Sequence, residues 1–127
     1  MAPTGLPDFD EPRLAEAVER LPPEALDTLP FGAIRLDAEG VVRLFSLAER
    51  RLSGYREEAL GRLFFAEIAP CMDIGSVRGR IEGALANGRL DLAFDHIGDF
   101  DDPTKELCVR VQSATGGGCW IFVRRET

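Results

Sequence analysis

The spacing of apolar residues changes period along the chain, and the changes sort it into helical and extended stretches. From Glu11 to Leu21, Leu14, Val18 and Leu21 recur at helical spacing among acids and arginines. Pro12 suits a first turn there, and Pro22-Pro23 ends the run. A second short turn spans Pro23 to Leu29. The period then shortens: Phe31 to Leu36 and Val41 to Ser46 are β-type runs joined by Asp37-Ala38-Glu39-Gly40, which predicts a hairpin with the glycine at positive φ. Leu47 to Leu52 favours helix, Ser53-Gly54 interrupts it, and Arg56 to Leu60 offers a further turn closed by Gly61. The apolar segment Leu63 to Ile68 runs into Ala69-Pro70-Cys71, where the proline turns Ala69 away from helix and leaves Cys71 on a turn or loop.

Farther on, Val77, Ile81, Ala84 and Leu85 share one face of a predicted long helix from Gly75 to Asn87, stopped by Asn87-Gly88. Three more β-type runs follow, Arg89 to His96, Lys105 to Ser113 and Cys119 to Arg125, joined by the loop Gly98 to Pro103 and by Ala114 to Gly118. Two strands, a helical middle and three strands predict an α+β domain, with one five-stranded antiparallel sheet and helices on one face. The proline-bearing segment through Asp10 is expected to be loose or to strap across the surface.

Composition narrows the classes of function. The chain has 127 residues, 45% of them apolar and 29% charged, which suits one globular core and argues against a disordered, collagenous or coiled-coil chain. Fifteen basic against 22 acidic residues give a net charge of −7, with the basic residues scattered, so nucleic acid is not an expected partner. No apolar run approaches the roughly 20 residues of a bilayer span, and Met1 to Pro12 lacks the basic and apolar regions of a leader, so a cytoplasmic protein without a membrane partner is expected. Cys71, Cys108 and Cys119 cannot all pair, show no CxxC spacing and have only His96 as an imidazole companion, so neither a disulfide framework nor a metal site is expected.

Few residues then suggest chemistry. A thiol on a proline-containing loop, Cys71, suits a thioester or redox role, although free cysteine is also a common buried filler, the reading given to Cys108 and Cys119 inside strands. Glu49 lies in a small and apolar stretch after a strand. Its neighbours Arg50 and Arg51 favour a solvated face, whereas an inward Glu49 would have a raised pKa and could donate a hydrogen bond. His96 reads as a half-buried strand residue. Gly116-Gly117-Gly118 lies between strands and reads as a hairpin turn, not a phosphate cradle. No GxSxG, HExxH, EF-hand loop or paired-carboxylate spacing appears, so the chain is not expected to be an enzyme.

The order of elements and several local strings resemble the photoactive yellow proteins, blue-light receptors of the PAS superfamily that bind a 4-hydroxycinnamoyl (p-coumaroyl) group as a thioester. The match runs from Leu26 to Arg125. It is densest at Leu29-Pro30-Phe31-Gly32-Ala33-Ile34-Arg35-Leu36-Asp37, at Phe64-Phe65-Ala66-Glu67-Ile68-Ala69-Pro70-Cys71, and at Trp120-Ile121-Phe122-Val123-Arg124-Arg125. The resemblance implies a PAS fold, with residues 1–28 as an N-terminal helical cap and 29–127 as the PAS core. It puts Cys71 at the family's chromophore-attachment cysteine and Glu49 at the carboxyl that hydrogen-bonds the phenolic oxygen. Ser53 replaces a threonine and keeps its hydroxyl. Phe45 stands where the family has a second phenolate partner, a tyrosine, Tyr55 where it has an arginine covering the pocket, and Asp101 at the lid methionine. The cofactor implied is 4-hydroxycinnamic acid (p-coumaric acid) on Cys71, with trans to cis photoisomerisation, proton transfer from Glu49, loosening of the segment through Thr28 and an unknown downstream signalling protein. Two alternatives stay open: a PAS sensor or protein-interaction domain without this pigment, and a thiol-redox or acyl-carrying enzyme using Cys71.

Overall fold

The computed structural model of the chain describes residues 7–53, 58–68, 91–97 and 104–125. Five strands, β1 (Gly32–Leu36), β2 (Val42–Phe45), β3 (Asp91–Ile97), β4 (Glu106–Ser113) and β5 (Cys119–Arg125), form one antiparallel sheet in the order β2-β1-β5-β4-β3. The last strand is therefore central. It pairs with β1 from Gly32↔Val123 to Leu36↔Cys119 and with β4 from Leu107↔Arg125 to Ser113↔Cys119.

Period-two alternation along β5 explains how the molecule divides into layers. Cys119, Ile121 and Val123 join an inner core with Ile34, Leu36, Val42, Phe64, Ile68, Val109 and Val111. Trp120 and Phe122 point the other way, into an outer core with Leu14, Val18, Leu26, Leu29 and Phe31. Burial on both faces is why this stretch reads as an unbroken apolar run.

The outer layer is built by α1 (Leu14–Glu19) and α2 (Pro23–Leu26). The strap reading holds for residues 7–10: Phe9 is buried, its ring edge-on to Phe31 at 5.5 Å, and Phe31 is edge-on to Phe122 at 6.0 Å. Polar contacts fasten the same segment. Arg110 donates to the carbonyls of Phe9 (2.6 Å) and Glu11 (2.7 Å), and Gln112 accepts from Ala15 N–H (2.7 Å) while donating to Pro12 O (2.8 Å).

The hairpin is found, with Asp37 Oδ1 accepting from Glu39 N–H and Val41 N–H and Gly40 at φ +85°. Several ends differ from the sequence reading. Helix α1 starts at Leu14, with Pro12 in the turn before it, because Asp8 O accepts from Glu11 N–H and closes that turn first. Strand β3 is described over Asp91–Ile97 and so runs one residue past His96, while Arg89 lies outside the described residues. Glu58 to Leu60 carry no helix; Gly61 at φ +84° instead donates its N–H to Val42 O, which pulls the chain to the sheet. Phe64–Ile68 forms one π-helical turn, with Glu67 accepting from Leu63 N–H at 2.7 Å. The expected helix from Gly75 to Asn87 and the loop Gly98 to Pro103 lie outside the described residues. Among the described residues no helix is long and apolar enough to cross a membrane.

Candidate functional site

The site is laid out where β2 turns into α3 (Leu47–Ser53). Ser46 makes the corner. Its N–H donates to Ala33 O (3.0 Å), and its hydroxyl oxygen accepts from Ala33 N–H (3.1 Å) and Glu49 N–H (3.0 Å). The last bond is an N-cap, and Ser46-x-x-Glu49 spells a capping box. In a full box the glutamate folds back onto the cap N–H. Here Ala33 O already occupies that N–H, so the Glu49 side chain is left to turn inward.

Glu49 is 1% exposed, which corrects the solvated-face reading drawn from its neighbours. One residue is about 100° of helix, enough to leave Arg51 in solvent and to set the Arg50 guanidinium over the Phe45 ring at 5.8 Å. The Glu49 carboxylate meets Arg125 from the end of β5: Nη1 donates to Oε1 at 2.8 Å and Nη2 to Oε2 at 2.9 Å, with both side chains buried. This two-pronged fork is the geometry of an ionised carboxylate.

Room for the carboxylate comes from β1. A Cβ added at Gly32 would overlap Glu49 Oε1 and crowd its Cδ and Cβ. Ser53 lies one turn after Glu49 on α3 and is fully buried, so a hydroxyl and a carboxyl share the inward side of one short helix. Phe45, just before the corner, is half-buried against the inner core. The start of α3 is also tied to the segment before β1, since Asp27 accepts from Leu47 N–H at 2.6 Å.

The structure thus brings Phe45, Glu49 and Ser53 to one corner of the inner layer, while Tyr55, Cys71 and Asp101 lie outside the described residues. Of the other thiols, Cys119 is buried and burial pushes it up to about 12. Half-buried Cys108 lies 3.5 Å from Asp95 Oδ1 and accepts from Arg124 at 3.6 Å. His96 is half-buried on β3, as expected, and among the described residues no group of three metal-ligating side chains forms.

Arg125, Gly32 and Ser46 were not read from the sequence as site residues. A signal existed for each. The capping-box spelling marks Ser46, and the apolar stripe Cys119, Ile121, Val123 ends in an arginine that must find a buried anion. Gly32 stands at the start of β1 in an otherwise apolar run, and a glycine in a strand signals close approach by another group.

No family model matches the chain. A photoactive yellow protein from Rhodothalassium salexigens is 34% identical over 119 residues, covering 92% of this chain and 95% of that protein. Its counterpart from Halochromatium salexigens is 31% identical with the same coverage. Among solved structures, the photoactive yellow protein domain from the sensor histidine kinase Ppr of Rhodospirillum centenum superposes with a TM-score of 0.78 at 37% identity, over 87% of this chain and 98% of that one. A PAS domain from Colwellia psychrerythraea, 17% identical with a TM-score of 0.63 over 82% of this chain and 92% of its own, shares the fold.

Proposed function

Because the chain belongs to the photoactive yellow protein family, we propose that it is a light-sensing signalling domain carrying a 4-hydroxycinnamoyl group as a thioester on Cys71. The observation that supports this most is the burial of Glu49 and Ser53 one helical turn apart, facing the inner layer. A carboxyl and a hydroxyl beside Phe45 suit the phenolic end of such a group, so the residues fit it. When bound, the group supplies absorption of light and a change of double-bond geometry.

The chain's own residues do the rest. Ser46 and Gly32 hold the Glu49 side chain inward, and Ile34, Val42 and Val123 keep water from that layer. Among the described residues Glu49 is the one fully buried acid, so proton traffic at this corner centres on its carboxyl oxygens. The hydrogen bond from Leu47 N–H to Asp27 gives strain at α3 a direct route to the N-terminal segment. In this reading the segment through Thr28 loosens and exposes a surface to an unidentified cytoplasmic signalling protein, with no nucleic acid, membrane or metal involved and no catalysis by this chain.

The test is colour and mass. Treatment with an activated 4-hydroxycinnamic acid is expected to give one thioester adduct by intact mass, absent in Cys71→Ala, and a new light-sensitive absorption band. Absence of any adduct on the folded protein would instead support a PAS sensor or interaction domain without this pigment, the reading favoured by Phe45 and Tyr55. An adduct on Cys71 that turns over to free acid would support the acyl-carrying enzyme.

A further inference from the structure

We propose that a second small-molecule site lies on the outer face of the sheet, between the two N-terminal helices and the strands β1, β2 and β5, and that it takes a zwitterionic α-amino acid with an apolar side chain. It is on the opposite side of the sheet from Glu49, so it does not depend on the light-sensing reading. A cavity of about 450 Å³ opens to solvent there, within the range of roughly 300–1,000 Å³ found for small-molecule sites.

Its floor is apolar. Val18, Leu21 and Leu26 reach it from the helical layer, Leu44 from β2 and the Trp120 indole from β5. Leu21 and Leu44 pack against the outer core yet stay only half-buried, so apolar surface is left for a ligand to cover.

Two opposite charges line the same cavity. Arg35 Nη2 donates to Thr115 O at 2.8 Å, and the guanidinium lies over the Trp120 ring at 5.9 Å. Its other N–H groups meet no acceptor among the described residues. Glu19 Oε2 accepts from Thr115 N–H (3.0 Å) and Trp120 Nε1 (2.8 Å), which uses both of its lone pairs. Oε1 accepts only from the Thr115 hydroxyl (2.7 Å) and keeps one. Arg35 is close enough for its charge to act on Glu19, but among the described residues no ion pair joins the two.

Opposite charges held near each other but apart, above an apolar floor, match one kind of ligand. A simple carboxylate would satisfy Arg35 but meet the Glu19 charge, and a simple amine would do the reverse. An α-amino acid carries both signs on one carbon. Its carboxylate accepts from the spare Arg35 donors, its ammonium donates to Glu19 Oε1, and its side chain covers Leu21, Leu44 and Trp120.

Trp120 is the chain's one tryptophan, so its fluorescence reads this site in the unaltered full chain. L-Leucine, leucinamide and N-acetyl-leucine separate the two charged ends, because the amide lacks the carboxylate and the acetyl compound lacks the ammonium. L-Leucine is expected to change the Trp120 emission saturably with a Kd below about 1 mM. Each derivative is expected to bind at least about tenfold more weakly, the loss of one charged hydrogen-bonding end. By calorimetry, Arg35→Gln is expected to weaken L-leucine by a similar factor and to leave leucinamide unchanged, since leucinamide has no carboxylate to lose. No saturable response to L-leucine, or equal affinity for all three compounds, overturns the proposal. So does a folded Arg35→Gln chain that binds L-leucine as the parent does. If Arg35→Gln does not fold, the three-compound comparison on the parent decides alone.

Discussion

Gly32 and Glu49 share one volume: a single methyl group on residue 32 would take the place of the Glu49 Oε1 oxygen. The glycine is not at positive φ, so what it provides is space and not backbone freedom. Gly32→Ala is expected to drive the carboxylate off Arg125 and to cost about 1–3 kcal/mol from overpacking, read by urea unfolding. In a Glu49→Ala background the same substitution is expected to cost much less, because the overlapping carboxyl is gone. Equal costs in both backgrounds would show that the glycine serves some other contact.

The buried pair itself gives a second expectation. Removing one partner, by Glu49→Met or Arg125→Leu, should destabilise the fold by about 3–5 kcal/mol, since it strands a charge, while the double substitution should recover most of that loss. A double-mutant cycle from unfolding curves measures the coupling. Additive losses would mean that the two side chains do not depend on one another.

Acid sensitivity is expected on the outer face of the sheet. Burial pulls the Glu19 carboxyl upward, but bonds from the Thr115 hydroxyl (2.7 Å), Trp120 Nε1 (2.8 Å) and Thr115 N–H (3.0 Å), with the Arg35 charge, outweigh it and hold Glu19 below its usual range. A depressed carboxyl stabilises the fold above its unfolded value, and that contribution is lost as pH falls through the folded one. Between roughly pH 5 and pH 3, Trp120, the chain's one tryptophan, should report loosening of α1 by fluorescence. Glu19→Gln should flatten that profile, and a steep profile in the variant would assign it to another acid.

Thiol chemistry should separate the cysteines. Cys119, buried and raised to about 12, should resist alkylation at pH 8 until denaturant is added. Half-buried Cys108 should label slowly in the native chain. An activated hydroxycinnamate should add to Cys71 alone, as read by peptide mass, and equal labelling of Cys71→Ala would remove that residue from the proposed site.

The sheet was legible because its strands alternate with period two or run apolar on both faces, and those patterns survive any error at their ends. The strand ends moved by no more than two residues, and α1 starts three residues later than the spacing suggests, where the turn from Asp8 to Glu11 competes with helix for the same N–H groups. Glu49 was harder. Its neighbours Arg50 and Arg51 are both cations, so local composition suggested a wet face, and the side chain that draws it inward lies 76 residues away on β5. The resemblance put Glu49 among the candidate residues, but nothing in it specified a fork from Arg125. That contact follows only when the strand order places β5 beside β1 and the stripe on β5 ends in a cation.

Arg124 and Arg125 are consecutive residues that serve opposite layers. Arg124 lies over the Phe9 ring at 4.8 Å and reaches Asp10 at 3.6 Å, while Arg125 grips Glu49 on the far side of the sheet. Their Cα atoms are about 3.8 Å apart, although the layers they join are separated by the whole thickness of the sheet. The rim of β5 thus works as a rivet driven through both plates, and at that corner a single peptide unit is all the insulation between the interior carboxylate and the N-terminal strap.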